Sequence, residues 1–269
     1  MLCFSIELIV YILLMTFSLG LIFGSFSNCL AWRIAHHESI NHGRSHCAKC
    51  NHTLSPLDLV PVLSWLFLRG RCRYCHEKIS IRYPLTELVC GAAFVGLVLR
   101  CGISFQTLEY MALVVILLAV AMVDLETGFI PDRLLIAGAV NFVLFSILIP
   151  IFEGGSILSA LVSGLLGSLA IFAPLFILVL IMDRVLGRES MGGGDLKLYF
   201  MIGLYFSWKC NLFLVLLSCL TGIAFFLVFR NVRLGEDERA FPFGPAIAAA
   251  AYVSLLAAEP AVAWYFGLF

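Results

Sequence analysis

Eight long apolar runs, broken by charged residues or Gly/Pro clusters, constrain this chain more than any other feature. They fall at about 8–31, 84–100, 104–123, 134–152, 157–182, 196–208, 211–229 and 243–268, and the sixth is short. A helix of about 20 apolar residues crosses a bilayer core of about 30 Å, and it satisfies its own backbone hydrogen bonds there. With 62% hydrophobic and 13% charged residues and a mean hydropathy of +1.03, an ordinary soluble domain is excluded. The predicted class is an all-α polytopic membrane protein of about eight transmembrane helices. The first run lacks a basic flank and a convincing cleavage site, so it is expected to remain as a helix. No sequence repeat is evident.

The formal net charge is zero, which by itself argues neither for nor against nucleic acid; no nucleic-acid partner is expected. Placement of the charges says more. With the N-terminus outside, one side of the membrane carries Arg33, Arg44, Lys49, Arg69, Arg71, Arg73, Lys78 and Arg82. The same side takes Arg133, Arg184, Arg188, Lys197, Arg230, Arg233 and Arg239, and the other keeps only Arg100 and Lys209. The positive-inside rule makes the basic side cytoplasmic. The expected organisation is a first transmembrane helix over 1–31, a cytoplasmic loop domain over 32–83 and a helical bundle over 84–269.

The 32–83 loop holds all six histidines (His36, His37, His42, His46, His52 and His76) and four of the ten cysteines. Cys47–Cys50 and Cys72–Cys75 are two Cys-x-x-Cys pairs, able to offer four thiolates to one tetrahedral Zn²⁺ in a small ribbon-like insert. Thiols stay reduced in the cytosol, which makes a disulfide framework the weaker reading. A loop this short has little core of its own, so a metal would supply much of its folding energy. Four thiolates complete the set, and the histidines read as solvated surface residues. Cys3, Cys29, Cys90, Cys101, Cys210 and Cys219 lie in or beside apolar runs and read as packing residues.

Two aspartates stand at the ends of apolar runs on the cytoplasmic side. Asp124 closes the third run and opens a turn through Gly128 and Pro131; Asp195 follows Gly192-Gly193-Gly194 and opens the sixth. Acids at a membrane edge are costly to place and are functional candidates. Two aspartates sharing one proton can act as base and acid in water attack on a peptide carbonyl, and the glycines leave backbone open to an extended substrate. A purely structural role fits the same residues: Asp195 as an N-cap, and Asp124 paired with Arg133 or Lys197. Glu126, Asp132 and Asp183 are further acids nearby, so the residues alone leave the pair open. If it is a pair, helix dipoles favour an ionised Asp195 base and a protonated Asp124 acid. In the first run, Gly24-Ser25-Phe26-Ser27-Asn28 suits close helix packing, with Asn28 also placed to touch a polar ligand. Glu236-Asp237-Glu238, diluted by Arg233 and Arg239, reads as a solvated loop.

Taken in order, these stretches resemble the bacterial type IV prepilin leader peptidase family. The resemblance rests on Gly24 to Asn28 with Arg33, the paired cysteines, Asp124 to Asp132 with Ile130-Pro131-Asp132, and Gly192-Gly193-Gly194-Asp195 with Lys197. Pro61 to Trp65, Arg69 to Cys72 and Ile81 to Glu87 are similar to it as well. The resemblance implies a membrane aspartic endopeptidase of the Gly-x-Gly-Asp class, with Asp124 and Asp195 catalytic. It implies prepilin or pseudopilin substrates, cut behind a short basic leader at the cytoplasmic face of the bacterial inner membrane. Many members also methylate the new N-terminus from S-adenosylmethionine, with the cytoplasmic loop implicated. Here Ile34-Ala35 follow Arg33 where the family commonly has proline, and Ala48 follows Cys47 where proline is frequent. No glycine-rich dinucleotide signature is present, so methyl transfer rests on the resemblance alone.

Two other classes compete. A proton- or ion-coupled transporter would place its acids near the middle of spans, whereas these lie at span ends. A zinc-binding scaffold without catalysis would depend on the cysteines and not on the aspartates. A metalloprotease is disfavoured, because four thiolates leave no open position on the metal.

Overall fold

A computed structural model describes residues 6–40, 42–232 and 242–267; Cys3, Arg233, Glu236 to Glu238 and Arg239 lie outside them. The chain forms two compact units, residues 1–103 and 104–269. The expected boundary at 83 falls one helix earlier, for a reason visible in the packing of the first unit.

The first unit is framed by α1 (Ile6–Ala35) and α3 (Arg82–Cys101). Small residues let the two backbones meet: a Cβ at Gly20 would stand 2.7 Å from the Cα of Gly91, and one at Gly24 2.7 Å from the Cα of Glu87. The packing role expected of Gly24 is thus observed, as is usual for small residues between membrane helices. It also ties α3 to α1. Between the helices run two cysteine knuckles, joined by a 3₁₀ turn (Pro56–Leu59) and the short α2 (Leu63–Phe67). Arg33 organises the chain leaving α1, donating to the carbonyls of Ser39, Ile40, His42 and Gly43 at 2.8–3.5 Å.

The second unit holds α4 (Phe105–Thr127), α5 (Asp132–Glu153), α6 (Ile157–Leu186), α7 (Gly193–Gly203), α8 (Trp208–Val232) and α9 (Gly244–Phe266). Helix α4 packs against α5 and α9, α6 against α7 and α8, and α8 against α9. Among the described residues, seven helices are long and apolar enough to cross a membrane: α1, α3, α4, α5, α6, α8 and α9. The sixth expected run, the short one, is instead α7, whose 11 residues reach only about 16 Å at 1.5 Å each, against a core of about 30 Å. Its end is held by polar bonds rather than by length. Asn211, 1% exposed, donates from Nδ2 to the carbonyls of Gly167, Gly203 and Phe206 at 2.8–3.2 Å. The outward faces of α5, α6 and α8 expose large apolar residues, which suits contact with lipid.

Candidate active site and metal centre

The carboxylates come together where four helix ends of the second unit meet. Asp124 sits one turn before the end of α4 and is 4% exposed. Gly128, at φ 68°, caps α4 in the left-handed region and donates its N–H to the Asp124 carbonyl at 2.8 Å. Pro131 then begins α5. The turn read from Gly128 and Pro131 is therefore a helix stop followed by a helix start.

Asp195 lies in the first turn of α7, with Gly192 at the N-cap. Gly193 and Gly194 are helical, although the apolar run begins only at about 196. Gly193 still faces open space, while a Cβ on Gly194 would come within 3.1 Å of the Ile130 side chain. A side chain there would force Ile130 or α7 to give by a few tenths of an ångström, so glycine favours this close approach of α7 to the α4–α5 turn. Asp195 is half-buried, and its carboxyl is pushed up to about 7 by burial and by the charge of the neighbouring Asp124.

A third participant was not anticipated. The amide of Gly244, the first residue of α9, donates to Asp124 Oδ2 at 2.8 Å. A Cβ at Gly244 would lie 2.7 Å from that oxygen, so glycine is required for the contact. The N-terminus of α9 thereby faces Asp124, and a helix N-terminus favours an anion. The sequence reading considered only the unfavourable C-terminal end of α4. The signal was present in Phe243-Gly244-Pro245, since Gly followed by Pro opens a helix.

The structural roles proposed for these acids are filled by others. Lys197 pairs with Asp132 at 2.8 Å rather than with Asp124. Asp183 accepts from the backbone N–H and hydroxyl of Ser190, each at 2.6 Å. An aspartate held by one backbone donor, beside a second aspartate with a raised pKa, can hold one proton between two carboxyls. That is the arrangement for general acid–base hydrolysis.

In the first unit, Cys47, Cys50, Cys72 and Cys75 place their sulfurs within 4.8 Å of one another. Tetrahedral Zn–S bonds of about 2.3 Å set sulfur atoms about 3.8 Å apart, and Cys47 Sγ to Cys75 Sγ is 3.9 Å. The four thiols fit a closed tetrahedral metal site.

The two knuckles repeat one another. Cys47 accepts the N–H of Asn51 at 2.9 Å, and Cys72 that of His76 at 3.0 Å. Asn51 and His76 share the left-handed conformation, at φ 55° and 59°. Cys47 donates to His52, and Cys72 to Glu77. The bridges His46–Thr53 and Arg71–Lys78 close the two loops alike. A repeat is thus present where none was evident in sequence. Its shared letters are few: Arg44/Arg69, the cysteines and Ser55/Ser80, with Leu54 answering Ile79.

The comparisons with known proteins follow the same division. The model of the bacterial peptidase A24 N-terminal domain matches residues 18–101, and that of the type IV leader peptidase family matches residues 111–227. A prepilin leader peptidase/N-methyltransferase of Bacillus subtilis (strain 168) is 34% identical over 93% of this chain and 96% of its own length. One of Aeromonas hydrophila is 33% identical over 82% of this chain and 74% of its own length. One of Myxococcus xanthus (strain DK1622) is 33% identical, with coverage of 86% and 68%. No solved structure matches the chain. With both family models and relatives matching along most of its length, this chain belongs to the type IV leader peptidase family.

Proposed function

We propose that this protein is a multi-pass aspartic endopeptidase of the bacterial inner membrane. It removes the leader from prepilins or pseudopilins at the cytoplasmic face and then methylates the new N-terminus. The observation that carries the peptidase reading is the meeting of Asp124 and Asp195, with the Gly244 amide on Asp124. The names of the relatives, which join leader peptidase and N-methyltransferase, support both halves of the reaction.

In this reading the roles of the two acids are reversed from the sequence expectation. Asp124, which accepts the Gly244 N–H at the N-terminus of α9, is the ionised base, and Asp195 is the acid. Asp124 takes a proton from water as the water oxygen bonds to the scissile carbonyl carbon. Asp195 gives its proton to the carbonyl oxygen. Collapse of the resulting diol returns a hydroxyl proton to Asp195, Asp124 protonates the leaving nitrogen, and the C–N bond breaks. Both carboxyls end as they began. The exposed first turn of α7 at Gly192 and Gly193 leaves room for an extended substrate backbone beside the pair.

Structural zinc on Cys47, Cys50, Cys72 and Cys75 would hold the two knuckles together and leave no position for substrate. When bound, S-adenosylmethionine supplies a methyl group to the freed amine and leaves as the thioether, the amine losing a proton to solvent.

The test is cleavage of a purified prepilin by wild type, Asp124→Asn and Asp195→Asn in lipid. Loss of leader removal in both folded variants is the expected result. If both variants still cut, the peptidase chemistry does not run through this pair.

A further inference from the structure

The insert between α1 and α3 turns an apolar face outward. Residues 54–68, which join the two knuckles, are mostly apolar and contain a single charge, Asp58. Helix α2 divides them by face, as a helical period allows. Ser64, Trp65 and Leu68 look into a cavity enclosed by the insert, and Trp65 is fixed there through Nε1 to the Ile79 carbonyl at 3.2 Å. Leu63, Leu66 and Phe67 point the other way and are exposed, Phe67 by 81%. Leu57, Leu59 and Val60, in and just after the 3₁₀ turn, are exposed as well. Six large apolar side chains within eleven residues form a patch, not the scatter of single apolar residues that any surface carries.

The one charge of the segment is withdrawn from this face. The Asp58 side chain is 3% exposed and accepts from Arg73 Nε at 2.7 Å. It also accepts the Ser55 N–H at 3.0 Å and the Ser55 hydroxyl at 2.8 Å. Charge returns just past α2, at Arg69 and Arg71, both exposed. An apolar face bordered by arginines has the chemistry of a segment lying at a membrane surface, where the guanidinium groups reach the phosphates.

The attachment of α2 gives its depth. The 20 residues of α3 reach about 30 Å, the thickness of the bilayer core, so the span needs the helix from about Arg82 onward. Val62, the N-cap of α2, donates its N–H to Glu87 Oε2 at 2.7 Å. Val62 takes φ 60° to do so, a rare conformation for a β-branched residue. Glu87 is the sixth residue of α3, and helical side chains lean back toward the N-terminus. The start of α2 is therefore tied to the first turns of α3, where that helix enters the bilayer. It does not stand off in water above them. Helices that lie in the membrane surface bury their apolar face about 5–10 Å deep in the same zone.

We propose that lipid covers this face. Leu63, Leu66 and Phe67 insert among the headgroups and upper acyl chains of the leaflet that α3 enters, with Arg69 and Arg71 at the level of the phosphates. The bilayer then holds the metal insert by a third contact, besides the chain connections to α1 and α3. The surface lies apart from the carboxylate pair, and the inference depends on neither half of the proposed reaction.

The test uses the full-length, zinc-loaded protein in bilayers of phosphatidylethanolamine and phosphatidylglycerol, with Phe67→p-benzoylphenylalanine as a photo-crosslinker. The position is exposed, so zinc content and helicity should match wild type. After irradiation, lipid adducts should exceed adducts to protein at least fivefold, read by intact-protein and peptide mass spectrometry. A main adduct to residues 104–269 or to a second copy of the chain overturns the proposal. So does the absence of a lipid adduct, which would leave the face in water. If the substitution at Phe67 releases zinc, the same crosslinker at Leu57, exposed on the 3₁₀ turn, decides by the same ratio.

Discussion

The metal centre and the carboxylate pair are built on opposite plans. All four candidate metal ligands belong to one insert between two helices, and each knuckle is closed by hydrogen bonds inside a few residues of chain. The carboxylate pair draws Asp124 from α4, Asp195 from α7 and an amide from α9. A knuckle is a local object whose geometry follows from its own turn residues. The pair exists only after three helix ends have met, and each meeting depends on a glycine with no side chain to spare: Gly194 against Ile130, Gly244 against Asp124. Local sites tolerate change in the surrounding bundle, whereas assembled sites are sensitive to a single added carbon at such a contact.

The hardest way to break this contrast is to remove one carboxyl from the pair. Asp124→Asn and Asp195→Asn should each lower prepilin cleavage by a factor of about 10³ or more, as expected when one member of a catalytic pair is lost. Methylation of an already cleaved pilin should persist in both. Loss of methylation alongside cleavage would mean that the two activities do not separate as the two kinds of site do.

The complementary break is in the metal centre. Cys72 is 3% exposed, so Cys72→Ser should reduce bound zinc from one equivalent to nearly none and lower methyl transfer more than tenfold. Hydrogen exchange should rise over residues 45–80 and stay low in the membrane helices, because the metal stabilises the insert and lipid the spans. Retained zinc in this variant would remove the four-thiolate assignment.

Between these extremes lies Gly244→Ala, which adds one carbon 2.7 Å from Asp124 Oδ2. The helix must shift or the hydrogen bond must lengthen, and kcat should fall about 10- to 100-fold with KM little changed. The pH profile sharpens the same point. Asp195 must carry a proton to act as the acid, and its carboxyl titrates near 7. Cleavage should therefore hold below neutrality and fall as pH rises through about 7, as that proton is lost. The value belongs to the pair rather than to one carboxyl. A profile that instead rises through neutrality would restore the original order of base and acid.

The legibility of the sequence follows the same division. Seven spans were readable because lipid demands long uninterrupted apolar runs, and the sixth run misled because α7 is short and its end is held by Asn211. The cysteine spacing pointed directly to the four-thiol cluster that the fold assembles. The repeat around it stayed hidden, since backbone hydrogen bonds carry it and side chains such as Asn51 and His76 differ. Asp124 and Asp195 stood out as acids at span ends, but nothing in their neighbourhood named Gly244, which lies far along the chain. A backbone amide has no letter of its own, so its partner shows only once the helices have packed.

The mildest probe is Lys197, two residues from Asp195 and similar to a family position in the sequence. Its ammonium pairs with Asp132 at 2.8 Å, and both side chains are 58% exposed. Exposed pairs contribute about 0–1 kcal/mol and are screened by salt. Lys197→Met should therefore leave cleavage within about twofold of wild type and leave the pH profile where it was. The small effect would separate residues that build the pair from those that only border it. If the variant instead loses more than tenfold and its alkaline limb moves, Lys197 acts on the Asp195 proton itself. The assembled site would then extend along α7 beyond its first turn.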